Sequence, residues 1–189
     1  MSREKPILIV FAGLTGTGKS TLTDALAKKL NIPVISSDIV RKKLADISPE
    51  VRRYNGFEEG IYSREFTDRT YYEMLKRGRE NLKKGSSVIL DASFRKRYHR
   101  KLVLDMASEL GIKLFIIETF CDIKEIKKRL CIRQEDKKSI SDGRWEIYTR
   151  QRDDFEPINE IKEDSHIILD TTKPVDVCIE KILERLKYD

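Results

Sequence analysis

Short apolar runs alternating with amphipathic segments predict an α/β fold built on a doubly wound parallel sheet. Three observations carry that prediction. The run PILIVFA at 6–12 is apolar throughout, as a central strand covered on both faces requires. Further strand-like runs return at 33–36, 86–92, 113–120 and 166–170. Between them, apolar residues recur every three or four positions, which is the helical repeat.

The elements follow in order. After PILIVFA, a helix is predicted from about Lys19, with Leu22, Ala25, Leu26 and Leu30 on one face and Asn31 and Pro33 ending it. PVIS (33–36) is the second strand, followed by a short helix over 39–46. The segment 60–84 repeats apolar residues at Phe66, Tyr71, Met74, Leu75 and Leu82 and stops at Gly85. SSVILDA (86–92) is the third strand. A helix over 95–110 follows, with Leu102, Met106 and Leu110 spaced four apart and Gly111 as its stop. KLFIIETF (113–120) is the fourth strand. Charged helical sequence covers 122–135, and a polar loop leads to a helix near 143–154. HIILD (166–170) is the fifth strand. The last helix begins near Pro174 and buries Val175, Ile179, Ile182 and Leu186. With no repeat, low-complexity tract or linker, residues 1–189 read as a single domain.

Composition narrows the class. The 189 residues are 39% hydrophobic and 37% charged, with a formal net charge of +6, so a soluble globular protein able to take an anionic ligand is expected. No 18-residue apolar stretch, signal peptide or lipidation motif is visible, which predicts a cytoplasmic protein with no membrane partner. Cys121, Cys131 and Cys178 form no C-x-x-C, so neither a disulfide framework nor a zinc site is expected. They read as small buried residues or inert thiols. His99 and His166 lack metal-spaced partners and read as structural.

The strongest motif is GLTGTGKST, 13–21. Gly13, then Gly18-Lys19-Ser20 after four residues, is the G-x-x-x-x-G-K-S pattern, here between a predicted strand and a predicted helix. Its glycines let main-chain N–H groups turn inward around phosphates, and the helix N-terminus adds partial positive charge. Gly13, Thr15, Gly16, Thr17, Gly18, Lys19, Ser20 and Thr21 are therefore candidate nucleotide ligands. Lys19 is placed to reach the β- and γ-phosphates, and the Ser20 hydroxyl to ligate Mg²⁺.

SSDIVRKKL, 36–44, leaves the second strand at the same sheet edge. A carboxylate there, near the terminal phosphate but outside the loop, suits a general base for an incoming hydroxyl, so Asp38 is the candidate. Arg41, one helical turn on, is placed to hold the acceptor or the transferring phosphoryl group. The bland alternative is that Asp38 only N-caps the following helix; the two roles are compatible.

These stretches, with GIYS at 60–63, VILDASF at 88–94 and ISDGRWEIYTRQ at 140–151, resemble the P-loop kinases of the polynucleotide kinase, gluconate kinase and zeta-toxin kind. Within them the chain looks closest to the AAA_33-type predicted-kinase branch. The resemblance covers nearly the whole chain. It implies a five-stranded sheet in the order 2-3-1-4-5, ATP as donor, Asp38 as base and Arg41 as phosphate-side ligand. The gluconate-binding pattern beyond the third strand is not present.

Asp91 ends the third strand after three apolar residues. It can hold Mg²⁺ or orient the acceptor, or it is a polar strand end contacting Ser20 alone. Acceptor-side helices are expected over about 38–84 and a lid over about 129–146, with Trp145 packing its base. In the lid, Arg129 and Arg133 share a helical face, and related kinases use such arginines on the transferring phosphoryl group. The alternative is a solvated helix with ion pairs such as Glu125 to Arg129. Asp142 is a feature of the branch with no derived role. Thr171, Thr172 and Lys173, after the fifth strand, are placed by position near the nucleotide base; Tyr62, with Ser63, Tyr71 and Tyr72, either lines the acceptor pocket or is buried packing.

FRKRYHRK, 94–101, puts Arg95, Lys96 and Arg97 in the first turn of a helix, where cations oppose the dipole. Either the cluster, Arg95 foremost, helps hold an anionic acceptor, or it is a solvated basic face. The expected activity is Mg²⁺·ATP-dependent phosphorylation of a small-molecule hydroxyl. A polynucleotide 5′-hydroxyl acceptor is the second reading, and a nucleotide-operated binding switch the third.

Overall fold

The computed structural model describes residues 5–48, 58–135 and 144–187. Five parallel strands form one sheet in the order β2-β3-β1-β4-β5. They are β1 (Ile7–Ala12), β2 (Val34–Ser36), β3 (Val88–Asp91), β4 (Lys113–Phe120) and β5 (His166–Asp170). The helices are α1 (Lys19–Leu30), α2 (Ser37–Leu44), α3 (Arg64–Lys83), α4 (Arg97–Leu110), α5 (Ile123–Glu135), α6 (Trp145–Asp153) and α7 (Val175–Lys187).

Side-chain alternation on the strands builds two cores. Leu8, Val10 and Ala12 of β1 join Val88, Leu90, Leu114 and Ile116 on one face, under α3 and α4 with Tyr71, Met74, Val103 and Met106. Ile9 and Phe11 join Ile89, Phe115, Ile117, Ile167 and Leu169 on the other, under α1 and α7 with Leu22, Leu26, Ile179 and Ile182. β1 is apolar throughout because both faces are covered. Leu26 has no exposed surface, so truncating it to alanine would cost about 2–5 kcal/mol. A third cluster, Ile126, Leu130 and Tyr148 with Leu14, Cys121 and Trp145, packs α5 and α6 onto the loop after β1. β1 lies between β3 and β4, so the strand order reverses there and a crevice opens at the carboxyl ends.

Several boundaries differ from expectation for local reasons. The helix expected over 39–46 starts at Ser37, with Ser36 at the N-cap, so Asp38 sits inside the first turn and caps nothing. The segment 60–84 is broken: a 3₁₀ turn covers Gly60–Tyr62, and α3 begins only after Ser63, whose hydroxyl accepts from the Phe66 N–H. The helix expected from 95 begins at Arg97, because Phe94 takes a left-handed φ of 42° with its ring fully buried. Arg95 therefore precedes the helix and Lys96 is its N-cap. Cys178 is buried and Cys131 is exposed, so of the two readings of the cysteines the small buried residue holds for the first and not for the second.

Candidate active site

The glycine-rich loop is fixed from below. Gly13 has a φ of 139°, and a Cβ there would come within 2.6 Å of the Thr119 carbonyl oxygen on β4. Only glycine lets the chain leave β1 this close to its neighbour strand. The Gly13 N–H donates to the Ser93 carbonyl at 3.0 Å, tying the loop to the end of β3. The Thr17 hydroxyl donates to the Leu14 carbonyl at 2.7 Å and lies 2.8 Å from the Thr119 hydroxyl. The Thr119 hydroxyl also lies 3.2 Å from the Ala12 carbonyl, to which it can donate, so the three contacts share two hydroxyl protons.

Lys19 opens α1, and its Nζ folds back to donate to the Leu14 carbonyl at 2.8 Å. Burial pushes this ammonium below its ordinary value. The charges of Asp91 and Asp38 pull it back up, and Arg133 pushes it further down. Ser20, the next residue, donates its hydroxyl to Asp91 Oδ2 at 2.9 Å. Asp91 is buried at the end of β3, and burial raises its carboxyl above the usual range while Lys19 and Ser20 hold it down in part. A buried carboxylate beside a hydroxyl fits a hard divalent cation such as Mg²⁺. That cation would relieve the burial penalty on Asp91.

Beyond β2, Asp38 is half-buried in the first turn of α2, and its charge acts on Lys19, Arg41 and Asp91. Its carboxylate makes no hydrogen bond among the described residues. Arg41 is 5% exposed. One terminal nitrogen donates to the Ile61 carbonyl at 2.6 Å and lies 3.1 Å from the Thr67 hydroxyl, and the guanidinium stands 4.8 Å from the Tyr62 ring centroid. Its buried Nε has no hydrogen-bond partner. No carboxylate among the described residues comes within ion-pairing distance, and burial lowers its pKa. Tyr62 thus stands in contact with Arg41, beside Tyr71, whose hydroxyl accepts from the Phe94 N–H at 3.0 Å.

Over the loop, Arg129 of α5 is clamped. Its Nε donates to Glu125 at 3.0 Å, one terminal nitrogen to the Thr171 hydroxyl at 3.0 Å, and the other to the Thr171 carbonyl. The expected Glu125 pair is therefore present, but the same guanidinium also reaches the loop. It would lie 3.1 Å from a Cβ on Gly18. Thr171 in turn donates to the Thr17 carbonyl at 2.8 Å. Thr172, one of the expected nucleotide-side residues, instead bonds Asp170 through its N–H and hydroxyl and is exposed. Trp145 stacks on Tyr148, with centroids 5.2 Å apart, against α5. The loop 136–143, including Asp142, lies outside the described residues.

The basic cluster has partners in the chain itself. Arg95 pairs with Asp154 at 2.5 Å and Glu58 at 3.5 Å, and Lys96 with Asp154 at 2.7 Å and Glu156 at 3.3 Å. The Arg97 N–H donates to Glu156 at 2.6 Å, and fully buried Arg100 pairs with Glu160 at 2.5 Å. The anion that offsets cations at this helix start is supplied by residues 154–160. Sequence reasoning missed this partner, along with Thr119 and Gln151, whose Oε1 accepts from the Thr15 N–H at 2.9 Å. Only the acidic run DDFEPINEIKED at 153–164 signalled the first.

No described helix is long and apolar enough to cross a membrane. Over 87 residues the chain is 38% identical to uncharacterised proteins of Mycobacterium tuberculosis and Mycobacterium bovis, a stretch covering 46% of this chain and 18% of theirs. The chain thus matches less than a fifth of those relatives' length. In fold it is similar to the APS kinase of Mycobacterium tuberculosis in complex with AMPPNP and APS, with a TM-score of 0.69 and 17% identity over 97% of this chain and 99% of that one. A gluconokinase of Sinorhizobium meliloti gives a TM-score of 0.63 and 20% identity over 97% and 93%. The sheet order and glycine-rich loop are those of a P-loop kinase fold, and with residues 8–158 matching the AAA domain called AAA_33, the chain belongs to that family.

Proposed function

We propose that the chain transfers the γ-phosphate of Mg²⁺·ATP to a hydroxyl of a small-molecule acceptor bearing an anionic group. The carrying observation is Arg41: a buried guanidinium with no carboxylate partner and an orphaned Nε among the described residues, one turn from a carboxylate whose charge acts on Lys19. A buried unpaired cation is costly unless a ligand completes it. A phosphate, carboxylate or sulfate on the acceptor would do so, and would hold its hydroxyl beside Asp38. Asp38 then accepts the hydroxyl proton. Main-chain amides of 13–20 orient the triphosphate, while Lys19, Arg129 and Arg133 counter the charge on the transferring group. Ser20 and Asp91 would hold Mg²⁺, which neutralises phosphate oxygens when bound.

A polynucleotide acceptor is less favoured, because Arg95, Lys96 and Arg97 are engaged by Asp154, Glu156 and Glu160 and present little free charge to a phosphate backbone. The test is a screen of anionic and neutral hydroxyl metabolites, with a 5′-hydroxyl oligonucleotide, for ATP-dependent phosphorylation. An anionic metabolite should be the product. Phosphorylation confined to the oligonucleotide, or to uncharged alcohols, would reject the proposal.

A further inference from the structure

One peptide group in the phosphate loop, Leu14–Thr15, is read from both ends. Its carbonyl accepts from Lys19 Nζ at 2.8 Å, and its N–H donates to Gln151 Oε1 at 2.9 Å. Lys19 is the residue that must reach the outermost phosphates. Gln151 is therefore held on the same peptide as that lysine, although it comes from α6, 136 residues further along the chain.

The contact fixes the chemistry of the side chain. The Thr15 N–H can only donate, so the carboxamide must turn its oxygen to the loop. Its other head, Nε2, carries two N–H donors and meets no acceptor among the described residues. The two heads of a carboxamide are closer together than a hydrogen bond is long, so these donors lie beside the phosphate loop. Gln151 is also positioned from behind. Tyr148, three residues earlier on α6, is buried with Ile126 and Leu130, and Asp154, at the C-cap, pairs with Arg95.

We propose that Gln151 is a binding residue for the terminal phosphate. Oε1 stays on the Thr15 N–H, and Nε2 donates to a γ-phosphate oxygen as Lys19 leaves the Leu14 carbonyl for the same group. Recognition of ATP over ADP is thus shared by the loop and by α6. This rests on the kinase reading above.

The test is calorimetric binding of ADP and of a non-hydrolysable ATP analogue, with magnesium, to the wild-type chain and to Gln151→Leu and Gln151→Glu. Leucine removes both heads. Glutamate keeps an acceptor for the Thr15 N–H, so the loop stays anchored, but replaces the donor with a negative oxygen. Loss of a donor to a charged oxygen should weaken the ATP analogue about tenfold to a hundredfold in both variants, with ADP changed no more than about twofold. Equal weakening of both nucleotides would mean that Gln151 only shapes the loop, and no change would mean that it does neither; each overturns the inference. Wild-type chain that binds neither nucleotide would overturn the kinase reading itself, and this inference with it.

Discussion

Replacing Arg41 by methionine separates the cost of the candidate acceptor site from its use. Methionine keeps most of the aliphatic stem and drops the guanidinium. The fold then loses a hydrogen bond to the Ile61 carbonyl at 2.6 Å and one to the Thr67 hydroxyl at 3.1 Å. Each, coming from a charged donor, is worth about 1.5–3 kcal/mol. Contact with the Tyr62 ring at 4.8 Å adds about 0.5–2 kcal/mol. On the other side, the orphaned Nε costs about 1–3 kcal/mol. Burying a charge that no carboxylate pairs costs several kcal/mol more. The two sides nearly cancel, leaving a net change within about 2 kcal/mol. At about 2–4 °C per kcal/mol for a chain of this size, Tm should move by no more than about 8 °C in either direction.

Activity should behave quite differently. A desolvated charge that loses its partner typically costs about 2–5 kcal/mol of binding, so kcat/KM for the acceptor should fall by about thirtyfold to several thousandfold. The KM for ATP should stay put if, as proposed, Arg41 binds the acceptor and not the nucleotide. Thermal melting, followed by initial rates with the acceptor found by the metabolite screen, checks both halves. A Tm drop well beyond 8 °C would make Arg41 a structural strut. An unchanged acceptor kcat/KM in a folded variant would remove the anionic acceptor altogether.

Asp38→Asn should lower kcat by about 10²–10⁴ while leaving ATP-analogue affinity unchanged, as separate turnover and binding measurements would show. Gly13→Ala should be far more damaging than Gly85→Ala. Both have positive φ, 139° and 80°, but a Cβ at 13 meets the Thr119 carbonyl at 2.6 Å, whereas one at 85 meets nothing within 4 Å. The backbone strain alone costs about 1–2 kcal/mol, so melting curves should show Gly85→Ala within about 8 °C of wild type and Gly13→Ala well below it, without nucleotide binding. His99 is buried against Tyr71 and bonded to Asp68 at 2.7 Å, and burial, aided by Arg95 and Arg41, lowers its pKa below 6.5 against the pull of Asp68. The unfolded chain then binds the extra proton first, so stability rises with pH through the window just below 6.5. Acidification from pH 7.5 to 5.5 should lower Tm, and His99→Gln should flatten that slope.

The sheet was legible because its signals are local. The apolar runs at 6–12 and 113–120 could only be doubly covered strands, and the phosphate loop announced itself through Gly13, Gly18, Lys19 and Ser20 at fixed spacing. Strand order was another matter: nothing in any one run says that β3 rather than β2 lies beside β1, and that came from resemblance. Helix starts were misplaced where a buried side chain overrode periodicity. Phe94 is the case in point, since its ring is fully buried and its φ of 42° ends any helix drawn back to Arg95.

What could not be read locally was which charges cancel. FRKRYHRK shows a cluster of cations, and a dipole argument correctly demands an anion near it. The anions belong to Asp154, Glu156 and Glu160, about 60 residues away in sequence, and only the folded chain brings them together. With those cations answered inside the chain, Arg41 remains ahead of Arg95 as the candidate ligand for an anionic acceptor. Arg41, singled out in SSDIVRKKL as a candidate ligand for the acceptor or the transferring phosphoryl group, is buried, and its Nε has no hydrogen-bond partner among the described residues. A site for an anion is marked less by how many positive charges a segment holds than by a buried charge, such as Arg41, that no carboxylate among the described residues pairs. On that criterion the proposed acceptor's charged group would be held at α2 and not at the start of α4, where Asp154, Glu156 and Glu160 already answer the cations.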